Sequence, residues 1–402
     1  MRSVEEHQRV VADLIRRRAP ITVPLDDTLG LVLAQDVVAP LSLPGFDNSA
    51  MDGYAVVAED ISDATAEQPV HLPVAEDIPA GRTDPLTLKP GTAHRIMTGA
   101  PLPTGATAVI PVEATNAATD TVEIRASAKP GQHVRRAGED VTAGTTVLRA
   151  GQLITPAALG LAAALGLSEL TVIPRQRVLV MSTGSELVAP GTPLEPGQIY
   201  ESNAVMLAAA LRDAGAEVVA APTTGDDVAV FRDALARHTG DADLIITTGG
   251  VSAGAYEVVK DALGAGQVEF VKVAMQPGMP QGSGAVDGTP IITLPGNPVS
   301  ALVSFEVFLR SPLRSAMGLP HPDRPRRTAV LLEDLTSPRG KRQFRRGVLD
   351  TDPQTGQATV TSYGPPASHH LRWLASANCL LEIDEETAEL AGGSHVHVWD
   401  LT

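Results

Sequence analysis

The stretch LPGNPVS at residues 294–300 follows an apolar, strand-like run and precedes an apolar, helix-like run at 301–309. This pattern predicts a strand, a tight turn and a helix, since the prolines preset φ and Gly296 lets the backbone come close to a ligand. Asn297 adds a side-chain amide, and we expect Ser300 to cap the helix. The unpaired N–H groups at such a helix start suit an anion, although a purely structural turn is the alternative interpretation.

Two other segments repeat this arrangement. RVLVM at 177–181 runs into STGSE at 182–186, and DLII at 243–246 runs into TTGGVSAG at 247–254. Because the carboxyl ends of strands in an open α/β sheet meet at one edge, we expect the three loops to form one cradle for a phosphate or another oxyanion. None of the loops fits the Walker or dinucleotide fingerprint, which argues against an ATP-loop or NAD enzyme.

The composition narrows the class of protein. The chain has 402 residues, 43% of them hydrophobic and 19% charged, as in a soluble globular protein of about two to four domains. A formal net charge of −16 argues against nucleic-acid binding, because phosphate backbones need a basic face. The single cysteine, Cys379, argues against a disulfide framework or a Cys-rich zinc site, and we expect it to be inert. Without a signal-peptide pattern or a membrane-spanning stretch, we expect a cytoplasmic enzyme.

The apolar pattern changes several times along the chain. An amphipathic helix at 3–18 precedes residues 21–40, which are predicted to form a short helix or turn. Short alternating runs then indicate an all-β module, and strands alternating with helices indicate a doubly wound α/β domain. The predicted domains are a discontinuous first domain at 1–40 and 138–175, a β module at 41–137 inserted into it, the α/β domain at 176–319 and a C-terminal β domain at 320–402. The predicted helices of the α/β domain are 203–214, 227–237, 258–263 and 299–317.

Acidic residues follow the predicted strands and glycine-rich loops of the α/β domain: Glu186, Asp226, Asp227 and Glu257. A divalent cation that bridges them to a bound anion would explain such carboxylates, and Mg²⁺ prefers hard oxygen ligands together with substrate phosphates. The alternative for Asp226 and Asp227 is capping of a helix N-terminus. Lys272 lies on a predicted strand that leads to QPGMP at 276–280, where it can point either at the cradle or at water.

Polar loops of the β module are further candidates for a site. PGFDNSAMDGY at 44–54 crowds two carboxylates, an amide and a hydroxyl into one loop, although its Asp-Gly pair is also a plain hairpin signal. RIMTGAP at 95–101 places the hydroxyl of Thr98 at a strand end. RRAGED at 135–140 joins two guanidinium groups to two carboxylates, and by itself this pattern favours a solvated salt-bridge cluster.

The C-terminal region is locally basic, with eight cationic residues between 324 and 346. Such a cluster suits either a dimer contact or an oxyanion clamp. GPPASHH at 364–370 adds hydroxyl and imidazole groups near a turn. With no Cys/His metal spacing and no convincing nucleophile–base pair in the sequence, the pattern favours transfer or hydrolysis at phosphorus over acyl chemistry.

These motifs, in this order, resemble those of the molybdopterin molybdenumtransferases. The shared motifs are PGFDNSAMDGY, RIMTGAP, RRAGED, STGSEL at 182–187, GGVSAG at 249–254, LPGNPVS and RGVL at 346–349. The resemblance runs from near the N-terminus to about residue 370. It implies an elongated first domain, an inserted β module, a molybdopterin-binding α/β domain and a small C-terminal β-barrel. It also implies an elongated homodimer, with each active site between the α/β domain of one subunit and the β module and adjoining regions of the other.

The resemblance further implies a reaction. Molybdenum from molybdate is inserted at the dithiolene of adenylylated molybdopterin, and AMP is released with the help of Mg²⁺. The implied catalytic residues are Asp52, Thr98, Asp140, Glu186 and Lys272. The implied ligands of Mg²⁺ are Asp226, Asp227 and Glu257. The implied substrate-binding residues are Thr183, Gly184, Ser185, Gly249, Gly250, Val251, Ser252, Gln276, Pro277, Gly278, Pro295, Gly296, Asn297, Pro298, Ser300, Arg346, Ser368 and His369. Expected protein partners are the upstream molybdopterin adenylyltransferase and proteins that deliver the cofactor to molybdoenzymes.

The sequence departs from the family at QPGMP, where the family has Lys-Pro-Gly-Lys-Pro, so two cations near the oxyanion are missing. Lys341 or Arg342 is a candidate to replace them, and Glu257 stands where the family often has Asp. This departure motivates a second hypothesis, a non-catalytic carrier or scaffold that holds molybdopterin without inserting metal. A tungstate-using enzyme is a weaker alternative. A nucleotide amidohydrolase that shares the α/β domain is disfavoured by the PGFDNSAMDGY loop.

Overall fold

The computed structural model describes residues 1–250, 258–263 and 266–402. The chain folds into two compact units. The larger unit comprises Met1–Thr22, Gly30–Ala34 and Thr171–Thr402. The smaller unit comprises Val23–Leu29 and Gln35–Leu170. The division into four domains, with the bounds expected from the sequence, stays a prediction.

The larger unit contains a mixed sheet that carries the three predicted loops. Four parallel strands stand side by side, followed by an antiparallel pair at one edge, and a short strand extends the parallel part. In spatial order the strands are Glu217–Ala220, Arg177–Thr183, Leu244–Thr248, Thr289–Leu294, Pro280–Val286 and Val268–Lys272, with Thr223–Thr224 paired to the second of them. The parallel part matches the predicted α/β topology, whereas the antiparallel edge was not foreseen.

Both faces of the parallel strands are buried, which explains their continuous apolar sequences. Val178 and Val180 belong to one hydrophobic cluster, and Leu179 and Met181 belong to another. Because successive side chains of a strand point to opposite faces, helices cover the sheet on both sides. Leu207 and Val303 are among the helical residues of the first cluster, and Phe231 and Val259 are among those of the second. This two-sided burial fixes the strand ends and therefore the loops that follow them.

The helices agree with most of the sequence-based expectations. They are Val4–Leu14, Pro156–Ala164, Asn203–Asp213, Val228–Thr239, Val258–Leu263, Pro298–Ser304, Arg310–Ala316 and Leu371–Ala375, with a π-helical turn at Phe305–Leu309 and 3-10 turns at Leu25–Asp27, Ala58–Ile61 and Val112–Ala114. None of the helices within the described ranges is long and apolar enough to cross a membrane.

The first helix ends earlier than its predicted limit at residue 18. Ile15 is extended, and the chain beyond it is held by distant groups. The Gln176 side chain donates to the carbonyl of Arg16 at 3.0 Å, and Arg18 donates to the carbonyl of Arg175 at 2.6 Å. Arg18 also forms an ion pair with Asp243. These tertiary contacts outweigh the helical periodicity of the sequence.

The helix after the LPGNPVS turn also differs in detail from the prediction. Asn297 occupies the N-cap position and Pro298 the first helical position, so the expectation that Ser300 caps this helix is wrong. Ser300 lies one turn inside the helix with its side chain buried. The predicted single helix at 299–317 is continuous in extent but contains the π-helical turn Phe305–Leu309 in its middle.

The C-terminal strands close into a barrel-like sheet. In spatial order they are Met275–Gln276, Arg342–Thr351, Ala358–Ser362, Arg326–Leu331, His395–Asp400 and Cys379–Ile383. Closure comes from a further antiparallel pairing between Arg342–Thr351 and Cys379–Ile383. Cys379 is fully buried inside the barrel, and burial raises the pKa of its thiol to about 12, which makes it inert as expected.

The smaller unit is built mainly on a five-stranded sheet. In spatial order its strands are Ala108–Pro111, Gly53–Val56, Ala93–Ile96, Val70–Ile78 and Thr121–Ile124. Short strands elsewhere in the chain are Ile21–Pro24, Val32–Leu33, Val37–Val38, Asn48–Ser49, Val134–Arg135, Thr146–Leu148, Glu169–Ile173, Leu187–Val188, Ile199–Tyr200, Leu335–Thr336 and Glu389–Leu390. Residues 21–40, predicted to be a short helix or turn, contain the 3-10 turn Leu25–Asp27 and also three short strands, because their β-branched runs find partners distant in sequence.

Gly53 permits a close approach between two strands of this sheet, and its replacement should destabilise the smaller unit. A Cβ atom at Gly53 would lie 1.8 Å from the carbonyl oxygen of Ile110. We expect Gly53→Ala to lower the free energy of unfolding by about 1–3 kcal/mol or more, the usual cost of overpacking. The matched control is Gly160→Ala in the helix Pro156–Ala164, where a Cβ atom would meet no other atom within 4 Å. This substitution should raise the free energy of unfolding by about 0.5–1 kcal/mol, because alanine favours a helix over glycine. Urea unfolding followed by circular dichroism measures both, and equal stabilities of the two variants would contradict the prediction.

Candidate active site

The three glycine-rich loops meet at the carboxyl edge of the parallel strands, as the sequence predicts. Gly249 donates its N–H to the carbonyl of Leu294 at 3.3 Å. A Cβ at Gly249 would lie 2.6 Å from the carbonyl oxygen of Thr183, and a Cβ at Gly296 would lie 3.3 Å from the Cα of Gly249. Gly249 also has a positive φ of 89°. Glycine is therefore needed for this backbone packing, apart from any contact with a ligand.

A cavity of about 500 Å³ opens beside the LPGNPVS turn. It is lined by residues of three loops, namely Gln276, Pro277, Gly278, Met279, Pro280, Pro295, Gly296, Asn297, Ser300, Pro366, Ala367, Ser368 and His369. The Asn297 side-chain amide donates to the hydroxyl of Ser368 at 2.9 Å, and the N–H of Val299 donates to the carbonyl of Ser368 at 3.0 Å. These bonds attach the loop of the barrel to the start of the helix. We call this space the site cavity.

Arg346 holds the backbone of the loop that carries Ser368. Its side chain is buried, and its guanidinium donates to the carbonyls of Ala367 at 3.1 Å, His370 at 3.3 Å and Pro365. Burial lowers the pKa of this guanidinium, and neighbouring Arg345 adds to the effect. Arg346 therefore supports the loop that presents Ser368, and its position near the substrate oxyanion, as the resemblance implied, stays a prediction.

The QPGMP loop is held by an amide pair. The Gln343 side-chain NH₂ donates to the Gln276 side-chain oxygen at 2.8 Å, which turns the Gln276 oxygen away from other donors. Arg342, a candidate to replace the missing cations, is surrounded by the carboxylates of Glu5, Glu382 and Glu385. Arg342 is therefore neutralised in its own cluster. Lys272 is exposed at the end of the edge strand, in register with Pro280 of the site cavity.

The acidic residues divide between capping and open positions. Asp227 is the N-cap of the helix Val228–Thr239 and accepts from the N–H groups of Ala229 and Val230, as the alternative interpretation predicted. Asp226 accepts from the N–H of Ser185 and donates its own N–H to the Ser185 hydroxyl, both at 3.1 Å. Asp227 therefore caps a helix, and Asp226 holds the STGSE loop through its two hydrogen bonds with Ser185.

Glu186 lies over the same loop. A Cβ at Gly184 would be 2.7 Å from the Glu186 carboxylate, so the missing side chain makes room for this group. Glu186 is exposed and belongs to the STGSE loop. Asp226 belongs to the turn that this loop contacts, since it accepts from the N–H of Ser185. Within the described ranges, no group of three or more His, Cys, Asp or Glu side chains is arranged to hold a metal by itself. Two carboxylates and substrate phosphates suffice for Mg²⁺, so the pair fits the hypothesis. Predicted residues Val251, Ser252 and Glu257 lie outside the described residues.

In the smaller unit the structure brings Asp52 and Thr98 together. One carboxylate oxygen of Asp52 accepts from both the N–H and the hydroxyl of Thr98, each at 2.7 Å. These bonds, the backbone bond first, hold the pKa of the Asp52 carboxyl below its usual range. Asp52 immediately precedes a strand and its side chain is tied to a second loop, so it is not merely a hairpin residue.

The RRAGED motif does not form a self-contained salt-bridge cluster. Arg136 pairs with Asp47 of the PGFDNSAMDGY loop, and the N–H of Ala137 donates to the same carboxylate at 2.8 Å. The Ala137 bond first, and then Arg136, lowers the pKa of Asp47. Glu139 accepts from the N–H of Arg136. Asp140 is exposed and lies beside this loop contact, since its N–H donates to the carbonyl of Leu43.

Two residues near the strand ends were missed in the sequence. Glu201 is buried, and one of its oxygens accepts from the Ser182 hydroxyl at 2.9 Å and from the N–H of Ala204 at 2.8 Å. Asn203 donates from its side-chain amide to the carbonyl of Gly296 at 2.7 Å. The helix start at Glu201-Ser202-Asn203 was the available signal, because polar residues at a helix start can hold neighbouring loops as well as the helix.

Three family models match the chain. They are the MoeA N-terminal region (domain I and II) at residues 2–166, a probable molybdopterin binding domain at 179–315 and the MoeA C-terminal region (domain IV) at 328–401.

Several named proteins are similar to this chain over nearly its whole length. The chain is 72% identical to a Mycobacterium tuberculosis protein named molybdopterin molybdenumtransferase 2, covering 100% of both chains. It is 36% identical to a Haemophilus influenzae protein named molybdopterin molybdenumtransferase, covering 93% of this chain and 92% of the relative. Among solved structures, a molybdopterin biosynthesis MoeA protein from Pyrococcus horikoshii superposes with a TM-score of 0.80 at 29% identity, covering 100% of this chain and 99% of that one.

The contact between Asp52 and Thr98 gives a titration that can be measured. Thr98→Val removes the hydroxyl donor and keeps the backbone donor, so the pKa of the Asp52 carboxyl should rise toward its ordinary value. A carboxyl with a lowered pKa stabilises the folded state above its unfolded pKa, and this contribution is lost as the pH falls through the folded pKa. NMR titration of the Asp52 side-chain carbon measures the shift. Thr98→Ser, which retains the donor, is the control, and an unchanged Asp52 pKa in Thr98→Val would refute the assignment.

Proposed function

The chain, 72% identical over its full length to a molybdopterin molybdenumtransferase, belongs to that family, and we propose that it transfers molybdenum from molybdate into adenylylated molybdopterin and releases AMP. A role in molybdenum cofactor biosynthesis follows from this membership. The observation that carries the specific proposal is the site cavity, in which polar groups from three loops converge beside a helix start. The names of the relatives favour a transferase over a carrier.

The residues of the site cavity have distinct roles in this proposal. Asn297 and Ser368 are hydrogen-bonded to each other and present an amide and a hydroxyl to the substrate oxyanion and pterin. Gln276, paired through its oxygen with Gln343, directs its NH₂ group toward the anion where the family has a lysine. Arg346 keeps the loop of Ser368 and His369 in place through its bonds to three carbonyls. Hydrogen-bond donors therefore replace part of the positive charge usual at such a site.

The STGSE loop is proposed to take the phosphates of the adenylylated substrate. Thr183, Gly184 and Ser185 lie at a strand end, where the N–H groups of Gly184 and Ser185 donate to Thr224 and Asp226. The Ser185 hydroxyl accepts from the N–H of Asp226, so its own proton can be donated to a phosphate. The carboxylates of Glu186 and Asp226 would hold Mg²⁺ together with those phosphates, with Glu257 as a further ligand. When bound, Mg²⁺ neutralises phosphate charge as AMP departs. Asp227 is the weakest of the proposed ligands, because one of its oxygens already caps a helix.

Catalysis is proposed to involve the smaller unit through a homodimer. Asp52, Thr98 and Asp140 of one protomer would act on the substrate in the site cavity of its partner, with Lys272 as a cation at the rim. The proposed setting is the cytoplasm, with the molybdopterin adenylyltransferase supplying substrate and molybdoenzyme-delivery proteins accepting product. This arrangement rests on the motifs shared with the family.

The decisive experiment measures AMP release from adenylylated molybdopterin by the purified protein, with Mg²⁺ and with or without molybdate. Release that depends on molybdate, together with formation of active cofactor, is expected for the transferase. Tight binding of the substrate without release would instead establish the carrier. Omission of Mg²⁺ should slow the release, and an unchanged rate would remove Mg²⁺ from the proposal.

Substitution of Asp52 tests the role of the smaller unit. Asp52→Ala should reduce molybdate-dependent AMP release about tenfold or more while leaving the fold intact, because the carboxylate is exposed and stabilises no core. Asp63→Ala, also an exposed carboxylate of the smaller unit, is the matched control and should leave the rate unchanged. Full activity of Asp52→Ala would return this residue to a purely structural role.

Substitution of Gln276 tests where the oxyanion binds. Gln276→Lys should tighten molybdate binding several-fold, since an ammonium group adds attraction and can donate to the buried Gln343 side-chain oxygen, which has no hydrogen-bond partner within the described part of the chain. Isothermal titration with molybdate measures the affinity. Gln354→Lys, on an exposed loop of the barrel, adds the same charge away from the site cavity and should have no effect. Equal affinities of the wild type and Gln276→Lys would place the anion elsewhere.

A further inference from the structure

A second concavity of the larger unit shares no lining residue with the site cavity. It has a volume of about 780 Å³, within the range of small-molecule sites. The helix Val4–Leu14 forms one side, the helical segment 305–316 forms another, and Trp399 of the barrel contributes to its wall. We call it the arginine groove after Arg310, Arg324 and Arg326, which line it.

Arg310 is the unusual group in this groove. Its residue is only 8% exposed, and its Nε atom is buried without a hydrogen-bond partner in the described part of the chain. One Nη donates to the carbonyl of Pro322 at 3.0 Å, and the Glu306 carboxylate is 3.9 Å from Nε. Burial first, and then nearby Arg324, lowers the pKa of Arg310. The guanidinium is thus desolvated without a short bond to a carboxylate.

Glu306 does not supply the missing acceptor, because its carboxylate is held by Arg324 and lies 3.9 Å from the Arg310 Nε atom. Arg324 donates to both oxygens of Glu306, at 3.0 Å and 3.1 Å, in a bidentate pair. Asp323, the other carboxylate that lines the groove, accepts from the hydroxyl of Ser311. Since buried charged donors are expensive to leave without an acceptor, the groove has an unsatisfied preference for an anion.

The remaining wall suits an apolar body. Ile15, Val307, Phe308 and Trp399 line the groove, and Arg326 stacks over the Trp399 ring with its guanidinium carbon 4.6 Å from the centroid. The π-helical turn Phe305–Leu309 also lies in this wall, and such turns are frequent at functional sites. Apolar surface next to a cation that lacks an acceptor is the chemistry of a site for an amphipathic anion.

We propose that the arginine groove is a binding site for a small organic anion, with a carboxylate, sulfonate or phosphate group at Arg310 and an aromatic or aliphatic body against Val307 and Trp399. The planar guanidinium fork matches the oxygens of such groups. The segment that contacts this ligand is continuous with the helix that begins at Pro298 beside the site cavity. This binding site is separate from the site of the proposed transferase reaction, and the proposal does not depend on that reaction.

Anilinonaphthalene sulfonate is a suitable probe, because it joins an anionic group to an aromatic body and fluoresces when bound. We expect saturable binding to the full-length wild-type protein, measured by fluorescence and by isothermal titration. Arg310→Met removes the cation and leaves Glu306 paired with Arg324, so affinity should fall about tenfold or more. Arg237→Met, which removes an exposed arginine elsewhere on the surface, should leave the affinity unchanged.

A second variant tests the location without altering the buried charges. Ala12 is exposed at the edge of the arginine groove, and Ala12→Trp should obstruct the groove and weaken probe binding about tenfold or more. Asp13→Trp, on the adjacent exposed position of the same polypeptide stretch, should not. Met279→Trp, which narrows the site cavity, should also leave probe binding unchanged. Absence of saturable binding, or equal weakening by Ala12→Trp and its control, would overturn the proposal.

Discussion

One steric constraint holds the three loops together, namely the close backbone contacts of Gly249 and Gly296 at the carboxyl ends of three parallel strands. At Gly249 a side chain would collide with the Thr183 carbonyl, and at Gly296 it would press on Gly249 itself. Because no side chain can stand between these loops, backbone meets backbone at this edge of the sheet, and the side chains that line the site cavity come from the elements around it. Asn297 is among these lining residues, and the proposed substrate contacts are therefore made by side chains that surround the glycine-rich edge.

Those peripheral groups are fixed by bonds that join the sheet to the barrel. Asn297 and Ser368 are joined side chain to side chain, and Arg346 uses its donors on the carbonyls around Ser368. A buried guanidinium is stable there because carbonyl oxygens replace water. The loop of Ser368 is thus tied to the helix start, so the donors of the proposed substrate site are already oriented, which would reduce the entropy that binding must overcome.

The sequence predicts the elements whose causes are local. The apolar run at 177–181 predicts its strand, and Pro298 marks the start of its helix, so the strands, the loops that meet and most of the helices follow from the sequence. The contact of Gly53 with the Ile110 carbonyl joins distant residues and does not follow from the local pattern. The predictions from the sequence were wrong where contacts with residues distant in sequence determine the local structure. Arg18 was predicted to end the first helix but instead contacts Arg175 and Asp243. The bonds of Arg346 go to carbonyls about twenty residues further along the chain. Glu201 was overlooked because only the fold places it beside Ser182.

Arginines in this chain show how a structural cation is distinguished from a binding one. Arg342 lies among three carboxylates and Arg346 donates to three carbonyls, so both guanidinium groups have close acceptors within the protein. Arg310 is also buried but retains a donor without an acceptor in the described ranges of the chain. Since desolvation has already been overcome by folding, an anion that reaches Arg310 gains a charge-assisted bond at lower cost than it would at an exposed cation. The presence or absence of an acceptor for each guanidinium donor, and not the local density of positive charge, therefore distinguishes a structural arginine from one that can bind an anion.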